Sequence, residues 1–324
     1  MYTSLCNFLG ISYIWNDKIM SAQHDQVSYN VRTYLTPKLA KHKKLRRISA
    51  YLYGNYCQIA GPLHVLPDFY IIGGQKCGTT SLFEYLSLHP TIQRGAAKDI
   101  RFFDKYYFKG TNWYKLYFPL KIKKSYLNFF SKKKFLTGDA TERYLEHPFA
   151  PQRIKNVTPH AKFLVLLRNP IDRAFSHYTM NVVRKMESLP FEKAIEIENE
   201  RIKNSMKKMK TDNSYYDDTY FRYAYLDRGT YITKLKQWFE IFPKNQFLII
   251  QSEKFWLKPS KVYNEVLKFL GLSNFKLNEY KQFRKTIYRN KKIPFETRKK
   301  LIDFFRPYNE QLYEFLGRRF DWDK

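Results

Sequence analysis

The first interpretable pattern in the chain is a short apolar run that a tight loop separates from a helical repeat. Residues 69–72 (Phe-Tyr-Ile-Ile) are apolar and rich in strand-forming side chains, and Gly73 and Gly74 end the run. Between residues 79 and 88, apolar side chains recur at near-helical spacing, which is typical of an amphipathic helix. This segment therefore predicts a strand, a tight loop and a helix in succession.

The same alternation recurs twice further along the chain. Residues 163–167 form a continuous apolar run, and residues 246–250 form a second one after an initial Gln246, as expected of parallel strands that are buried on both faces. A helix is expected to begin at Pro170, a residue suited to the first helical turn, and helical patterns also cover residues 231–242 and 260–270. Strands that alternate with helices indicate an α/β fold with a parallel sheet.

The pattern changes sharply near residue 66. Residues 1–66 show no steady period and end close to a Gly-Pro breaker pair, so we interpret them as an N-terminal extension of unknown role. Residues 67–324 are expected to form the main domain. Within that domain, the polar segment 181–225 is expected to be helix plus a surface insertion, and a last helix is expected over about residues 294–316.

The charge of the chain restricts its partners. It has 324 residues with 58 Lys and Arg but only 29 Asp and Glu, which gives a formal net charge of +29. Such a surplus favours an anionic partner: nucleic acid, anionic lipid, a polyanionic sugar or a phosphorylated cofactor. The basic residues concentrate at residues 41–47, 121–134, 203–210 and 284–300. Lysine runs are also common on solvated surfaces, so charge alone does not choose among these partners.

Composition excludes several classes of protein. Hydrophobic residues make up 44% of the chain, which excludes a largely disordered chain. The three cysteines are scattered, which argues against a disulfide framework and a cysteine-based zinc site. No segment reaches the roughly 18–20 apolar residues of a membrane span, and residues 5–15 are too short and lack the flanks of a secretory signal. We therefore expect a soluble protein.

Residues 73–80 hold the clearest candidate chemistry. Their sequence, Gly-Gly-Gln-Lys-Cys-Gly-Thr-Thr, lies between a predicted buried strand and a predicted helix, where backbone N–H groups and the helix dipole favour a phosphate. Glycines let the backbone approach closely, a lysine adds charge, and two threonines offer hydroxyls. The expected phosphate-binding residues are Gly74, Gln75, Lys76, Cys77, Gly78, Thr79 and Thr80.

This loop differs from the phosphate loop of nucleotide triphosphatases, G-x-x-x-x-G-K-[ST]. Gly73 and Gly78 have its glycine spacing, but Thr79 stands where the lysine should be, and Lys76 precedes the second glycine. No clear apolar strand ends in an Asp that would hold magnesium. These differences argue against kinase chemistry, although a kinase-like phosphotransferase in which Lys76 substitutes for the missing lysine stays an alternative.

A second candidate phosphate site follows the second predicted strand. Arg168 leaves the end of this strand, and Ser176 lies two helical turns further on. An arginine fork and a hydroxyl can together bind a phosphate. Because Arg168 and Arg173 could instead pair with surface carboxylates, this element is weak evidence by itself.

Together, the two elements resemble the 5′-phosphosulfate loop and the 3′-phosphate motif of sulfotransferases that use 3′-phosphoadenosine 5′-phosphosulfate (PAPS). Residues 98–104 (Lys-Asp-Ile-Arg-Phe-Phe-Asp) are similar to the K-E-x-x-F-F-D motif of the heparan sulfate and carbohydrate-type members and their bacterial-style relatives. Residues 139–144 resemble the E-x-T-P-x-Y motif, residues 228–243 the R-G-x-Y…L…W…F-P pattern, and residues 305–322 the usual end of the domain. The resemblance covers about residues 67–324 and implies a P-loop-like, three-layer α/β fold with a central parallel sheet flanked by helices.

The resemblance also implies an activity, which is transfer of a sulfuryl group from PAPS to a hydroxyl or amine without a metal. Lys76 would contact the 5′-phosphosulfate and support the leaving oxygen, and Arg168 and Ser176 would hold the 3′-phosphate. Further expected cofactor contacts are Tyr231, in the R-G-x-Y segment, and Lys291 and Lys292, which lie where related enzymes close a loop over the cofactor but lack that loop's usual glycine.

Sulfuryl transfer needs a base that takes the proton of the acceptor. The family uses the Glu of K-E-x-x-F-F-D, and here Asp99 stands at that position with a side chain one methylene shorter. His177 is the alternative base, although a surface histidine beside a phosphate motif is its simpler interpretation. Glu142 stands where the family often has proline and could alter the acceptor groove.

Lys98, Arg101 and Asp104 are expected to line the acceptor site, and the basic clusters would suit an anionic glycan. A carbohydrate or polyanionic glycan is therefore the expected acceptor. A basic nucleic-acid-binding protein is the remaining alternative, but no helix-turn-helix, zinc-finger or RNA-binding signature is present. Glycan-modifying relatives often lie in the Golgi, so the compartment stays open: cytoplasmic or, if the chain is truncated from a longer parent, Golgi-lumenal.

Overall fold

Four parallel strands form the centre of the fold in the computed structural model, which describes residues 43–130, 134–283 and 293–322. The strands are β1 (Phe69–Gly73), β2 (Gly138–Ala140), β3 (Lys162–Leu167) and β4 (Phe247–Gln251). Their order is β2-β1-β3-β4. The register pairs Phe69 with Gly138 on one side and with Lys162 on the other, and Phe163 with Phe247.

Strand β2 is the strand of this sheet that the sequence pattern did not predict. Its three residues, Gly-Asp-Ala, form no apolar run. A Cβ atom at Gly138 would lie 2.3 Å from the ring of Phe69, so glycine lets β2 pack beside β1. Pairing and packing with its neighbour, rather than the propensity of its own residues, therefore define this strand.

Of the α-helices in the described residues, the first precedes β1 and the others lie between and after the strands. In chain order they are α1 (Lys43–Ala60), α2 (Thr79–Ser87), α3 (Thr111–Lys115), α4 (Lys121–Phe129), α5 (Ala150–Val157), α6 (Pro170–Val183), α7 (Phe191–Glu196), α8 (Glu198–Thr211), α9 (Asp218–Tyr223), α10 (Tyr231–Ile241), α11 (Ser252–Leu257), α12 (Pro259–Leu270) and α13 (Phe295–Leu316). Helices α2, α10, α12 and α13 lie within one residue of their predicted bounds, and α6 begins at Pro170 as predicted.

Helix α1 was not predicted, because residues 1–66 were interpreted as an extension without a steady period, although apolar residues do recur at helical spacing within Lys43–Ala60. Tyr51, Leu52 and Tyr53 are consecutive, and all three are exposed. The chain divides into two units, residues 1–57 and residues 58–324. The sheet and the candidate site lie within the second unit.

Alternate side chains of the strands build an apolar layer on each face of the sheet. On one face, Ile71 and Leu164 belong to a buried cluster that includes residues of α2 and α12. On the other face, Tyr70 stacks on Phe163 at 5.7 Å between ring centroids, and Phe163 meets Trp238 of α10 at 5.2 Å. Helices thus cover both faces, which confirms the three-layer α/β fold with a central parallel sheet.

The polar segment 181–225 contains α7, α8 and α9, so the expectation of helices there is confirmed. It is more than a surface insertion, because Ile202, Met209 and Phe221 belong to a buried apolar cluster of its own. Within the described parts of the chain, no helix combines the length and the apolar character needed to cross a bilayer.

Candidate functional site

The loop after β1 folds tightly against the end of β3. Gly73 has a φ angle of 142°, and a Cβ atom there would lie 2.3 Å from the carbonyl oxygen of Leu166, so glycine is required. The amide of Gly74 donates to that same oxygen at 3.1 Å, and the amide of Cys77 donates to the Gly74 carbonyl at 3.2 Å. Gly78, with a φ angle of 94°, precedes the first residue of α2. The loop therefore leads directly into a helix N-terminus, whose first amides have no acceptor within the helix.

Lys76 has a backbone conformation that non-glycine residues rarely adopt, with a φ angle of 73°. Among the described non-glycine residues, the same region also holds Asp99 and Arg101, both at 61°, Lys185 at 58° and Asp321 at 55°. Of these five residues, Lys76, Asp99 and Arg101 line one cavity. Such conformations persist where the surrounding structure fixes them and concentrate at functional sites, so their grouping marks this cavity as a candidate site.

Arg168 connects the end of β3 to the loop after β1. Its Nη1 atom donates to the carbonyl oxygen of Lys76 at 3.3 Å, and its guanidinium lies 4.8 Å from the ring centroid of Trp256. The carbonyl oxygen of Arg168 accepts a hydrogen bond from the Tyr231 hydroxyl at 2.9 Å. Ser176, on α6, lines the same cavity as Arg168. The two candidate phosphate sites are therefore adjacent.

The cavity between these elements has a volume of about 740 Å³, within the range of pockets that hold small molecules. It brings together most of the predicted site residues. Those that line it are Gln75, Lys76, Gly78, Thr79, Thr80, Lys98, Asp99, Arg101, Arg168 and Ser176. The phosphate loop, the second phosphate element and the candidate base thus face one space.

Several residues of this lining were not predicted from the sequence, including Arg143, Arg184 and Trp256. With them, six cationic side chains and two carboxyl groups face the cavity, which favours an anionic ligand. The indole Nε1 of Trp256 is buried without a hydrogen-bond partner, and a Cβ atom at Gly78 would lie 3.2 Å from it. An unused donor therefore lies directly beside the phosphate loop.

Two carboxyl groups, those of Asp99 and Glu142, lie beside Lys98 in the cavity wall. The Nζ atom of Lys98 is 4.0 Å from Oε2 of Glu142, and that oxygen is buried without a hydrogen-bond partner. The amide of Asp99 donates to the carbonyl of Ala140 at 3.1 Å, which places Asp99 at the end of β2. Among the described residues, no group of three or more His, Cys, Asp or Glu side chains is arranged to hold a metal ion.

The two carboxyl groups have shifted pKa values of opposite direction. Enclosure by protein, followed by the negative charge of Glu142, raises the pKa of Asp99 above its ordinary value. Asp99 is also exposed to solvent, which favours its ionised form and opposes part of this shift. Burial opposes ionisation of Glu142, but Lys98 and the contact with Asp99 outweigh it and hold the pKa of Glu142 below its ordinary value. Asp99 is therefore the stronger base of the pair.

Three predicted cofactor residues, Gly74, Cys77 and Tyr231, support the loop from beneath and do not line the cavity. The carbonyl of Cys77 accepts a hydrogen bond from the Ser252 hydroxyl at 2.7 Å, and burial raises the pKa of its thiol to about 11. Tyr231 is buried and holds the backbone of Arg168. These residues therefore position the loop and do not face the cavity.

Asp104, predicted to line the acceptor site, is buried beneath Arg101. Its Oδ2 atom lies 3.3 Å from Nε of Arg101, and burial raises the pKa of its carboxyl to about 6. Asp104 does not line the cavity, but its partner Arg101 does. Lys291 and Lys292 lie outside the described residues.

His177 is buried, with 1% of its surface exposed, so its interpretation as a surface histidine is wrong. Its ring packs against Tyr225 at 5.0 Å between centroids, and both ring nitrogens lack hydrogen-bond partners. Burial, followed by the positive charges of Arg228 and Arg173, lowers its pKa well below the ordinary value. Since it does not line the cavity, His177 is poorly placed to act as the base.

Arg228 supports the phosphate loop through a contact with Gln75 that was not predicted from the sequence. Its guanidinium is fully buried, and Nε lies 3.0 Å from Oε1 of Glu146. Nη1 donates to the side-chain oxygen of Gln75 at 2.9 Å and to the carbonyl of Phe221 at 3.0 Å. Arg228 is the first residue of the R-G-x-Y segment, and the resemblance implied no role for it. Its hydrogen bond to Gln75 indicates that it supports the phosphate loop.

Comparisons with known proteins bear directly on this site. A family model described as "Sulfotransferase domain" matches residues 66–304. The chain is 26% identical to the membrane-associated sulfotransferase kil1 of Dictyostelium discoideum, over 82% of this chain and 68% of that protein. It is 29% identical to heparan sulfate glucosamine 3-O-sulfotransferase 3B1 of Mus musculus, over 80% of this chain and 65% of that protein.

A solved structure is also similar. It is a sulfotransferase from Alicyclobacillus acidocaldarius, with a TM-score of 0.61 and 28% sequence identity over 80% of this chain and 100% of that one. Coverage of the curated relatives is partial. The chain covers 65% of the mouse protein and only 30% of the bifunctional heparan sulfate N-deacetylase/N-sulfotransferase 1 of Caenorhabditis elegans, to which it is 27% identical.

Proposed function

The chain belongs to the sulfotransferase domain family and is an enzyme of that class, and from this premise we propose that it transfers a sulfuryl group from PAPS to a hydroxyl or amine of a carbohydrate. The observation that supports PAPS is that Lys76, Arg168 and Ser176 line one cavity. Lys76 and Arg168 follow β1 and β3, which are neighbours in the sheet, so both lie at the carboxyl edge where α/β proteins bind ligands. A single nucleotide with phosphates at both ends can reach all three residues.

The residues of the cavity fit such a nucleotide. Thr79 and Thr80 lie in the first turn of α2, where the helix dipole and unpaired amides favour an anion. Trp256 offers a buried N–H without an acceptor beside the loop. Arg168 adds a charged fork between the two phosphate elements, and such forks bind phosphate through two parallel hydrogen bonds.

Bound PAPS would supply an activated sulfuryl group whose departure leaves negative charge on a phosphate oxygen. Lys76 and the amides at the start of α2 would stabilise that charge. Donors that are already in place when charge develops usually make the largest contribution to catalysis. The backbone of Lys76 is held by Arg168, so little reorganisation is required.

Asp99 is the proposed base that takes the proton of the acceptor. It lines the cavity on the side of Lys98 and Glu142, and it must be ionised to act. The charge of Glu142 raises the pKa of Asp99, which makes Asp99 a stronger proton acceptor. Lys98 favours the ionised form of Glu142, while its own positive charge lowers the pKa of Asp99 and opposes part of the shift.

The acceptor is proposed to be an anionic carbohydrate, because four of the six cationic side chains that face the cavity are not assigned to the cofactor: Lys98, Arg101, Arg143 and Arg184. Lys98 and Arg101 would contact its acidic groups, and Asp104 would orient Arg101. The mouse and nematode relatives are named for heparan sulfate, which is an anionic glycan. Within the described parts of the chain, no feature favours a phosphotransferase or a nucleic-acid-binding protein over this function.

The test compares cofactor binding and sulfate transfer in two matched variants. Lys76→Ala removes the proposed leaving-group contact. Lys185→Ala is the control, because Lys185 has a similar left-handed backbone but does not line the cavity. We expect calorimetry to show tighter binding of 3′-phosphoadenosine 5′-phosphate than of ATP. Lys76→Ala should lower transfer from labelled PAPS by about 10²- to 10³-fold, whereas Lys185→Ala should retain it. Preference for ATP, or full transfer by Lys76→Ala, would refute the proposal.

A further inference from the structure

The segment Leu120–Phe130, formed by α4 and one residue on each side, exposes a continuous apolar face. The exposed fractions are 43% for Leu120, 75% for Ile122, 58% for Tyr126, 79% for Phe129 and 73% for Phe130. The last four lie at positions i, i+4, i+7 and i+8, which share one face of a helix. Single exposed apolar residues are common on proteins, but a contiguous group usually marks an interaction surface.

The exposed rings also form a shaped surface. Phe130 lies 5.6 Å from Tyr126 and 5.2 Å from Phe129 between ring centroids. An open groove of about 670 Å³ is lined by Ile122, Ser125, Tyr126, Asn128, Phe129 and Phe130. This groove is separate from the candidate site, since the two linings share no residue.

Positive charge flanks the apolar face. Lys121 and Lys123 are exposed beside Ile122, and the sequence from Leu120 to Lys134 contains six lysines and no Asp or Glu. A soluble polyanion could pair with the lysines, but it would leave Ile122 and Phe129 in water. An anionic lipid surface satisfies both features, because its headgroups attract lysine and its acyl boundary accepts apolar side chains.

We propose that the segment Leu120–Phe130 docks the protein on an anionic lipid bilayer, with its apolar face at the acyl boundary and its lysines among the headgroups. The helix would lie along the membrane plane, as amphipathic helices do. The proposal does not depend on the sulfotransferase activity, because no residue of the segment lines the candidate site.

The test is sedimentation of the full chain with phosphatidylcholine vesicles that contain or lack phosphatidylserine. The wild type should bind the vesicles with phosphatidylserine, and added salt should weaken binding. Phe129→Ser/Phe130→Ser should weaken binding at least about tenfold, and Lys121→Glu/Lys123→Glu should weaken it by more than about fivefold per lysine. Phe108→Ser is the matched control, because Phe108 is 82% exposed but lies outside the segment, and it should bind like the wild type.

Other occupants of this surface give different results. If Phe129→Ser/Phe130→Ser lowers the mass measured by light scattering and the wild type ignores vesicles, the surface joins two copies of the chain and the proposal fails. If the lysine variant loses heparin binding while no form binds vesicles, the surface serves a soluble polyanion and the proposal also fails. Equal vesicle binding by the wild type and Phe129→Ser/Phe130→Ser would overturn it as well. Circular dichroism and binding of 3′-phosphoadenosine 5′-phosphate, which the segment should not affect, verify that each variant is folded.

Discussion

Replacement of Arg228 by methionine tests whether the buried ion pair beneath the phosphate loop supports both stability and cofactor binding. Arg228 and Glu146 have fully buried side chains that approach to 3.0 Å. The same guanidinium donates to Gln75 in the loop. Arg228→Met would therefore leave the Glu146 carboxyl buried without its cation and Gln75 without a donor.

The expected loss of stability follows from the burial of this pair. Removal of one partner of a buried ion pair typically costs about 3–5 kcal/mol, because the other charge stays uncompensated. Protonation of Glu146, whose pKa burial already raises, would keep the cost toward the lower end. For a domain of this size, the melting temperature should fall by roughly 10 °C.

A double variant separates stability from cofactor binding. Arg228→Met/Glu146→Leu removes both charges, and apolar replacement of a buried pair is often neutral or stabilising. Its stability should therefore recover. The hydrogen bond to Gln75 would still be missing, and one such bond contributes about 0.5–1.5 kcal/mol. Binding of 3′-phosphoadenosine 5′-phosphate should thus stay up to about tenfold weaker than in the wild type.

Urea denaturation and calorimetry measure the two effects, with Arg319→Met as the control. Arg319 pairs with Glu310 at the surface, where both side chains are largely exposed, and such pairs contribute at most about 1 kcal/mol. A stable Arg228→Met single variant would contradict the argument from burial. A double variant with wild-type cofactor affinity would contradict the proposed role of Gln75.

Two further predictions concern the carboxyl pair and the sheet. Glu142→Gln should move the acid limb of the pH profile of kcat/KM to lower pH, because Asp99 must be ionised to act and this variant removes a charge that raises its pKa. Lys98→Met should move the acid limb to higher pH, because it removes a charge that lowers the pKa of Asp99. Identical acid limbs in the wild type and both variants would show that Asp99 is not the titrating base. Gly138→Ala should destabilise the fold in urea by about 1–3 kcal/mol, because its Cβ would lie 2.3 Å from the Phe69 ring; unchanged stability would mean that β2 can shift away from β1 without cost.

The sequence predicts those parts of the fold that have a local signal. Strands β1, β3 and β4 are apolar runs buried in a parallel sheet, so composition alone reveals them. Strand β2 has three residues and no apolar run, and its pairing with β1 defines it as a strand. It therefore could not be predicted from the local sequence.

The same distinction applies to the candidate site. Glycine spacing indicates the loop around Lys76, and an arginine at a strand end indicates Arg168, so both could be located from the sequence. The partnership of Arg228 with Glu146 spans 82 positions, and no local pattern predicts a contact of that range. For His177 the local sequence was misleading. Its place beside a phosphate motif suggested a histidine on the protein surface, but the residue is buried in the folded structure.

Two departures from the family motifs, an Asp at residue 99 and a Glu at residue 142, prove to be neighbours. The shorter side chain of Asp99 reduces its reach toward an acceptor. Glu142 adds a second carboxylate beside it, and Lys98 approaches that carboxylate to 4.0 Å. Since enclosure by protein and the charge of Glu142 raise the pKa of Asp99, the Glu at 142 would make the shorter Asp99 a stronger base in its proposed role. Neither change alone has this consequence, so the two residues are best understood as one functional pair.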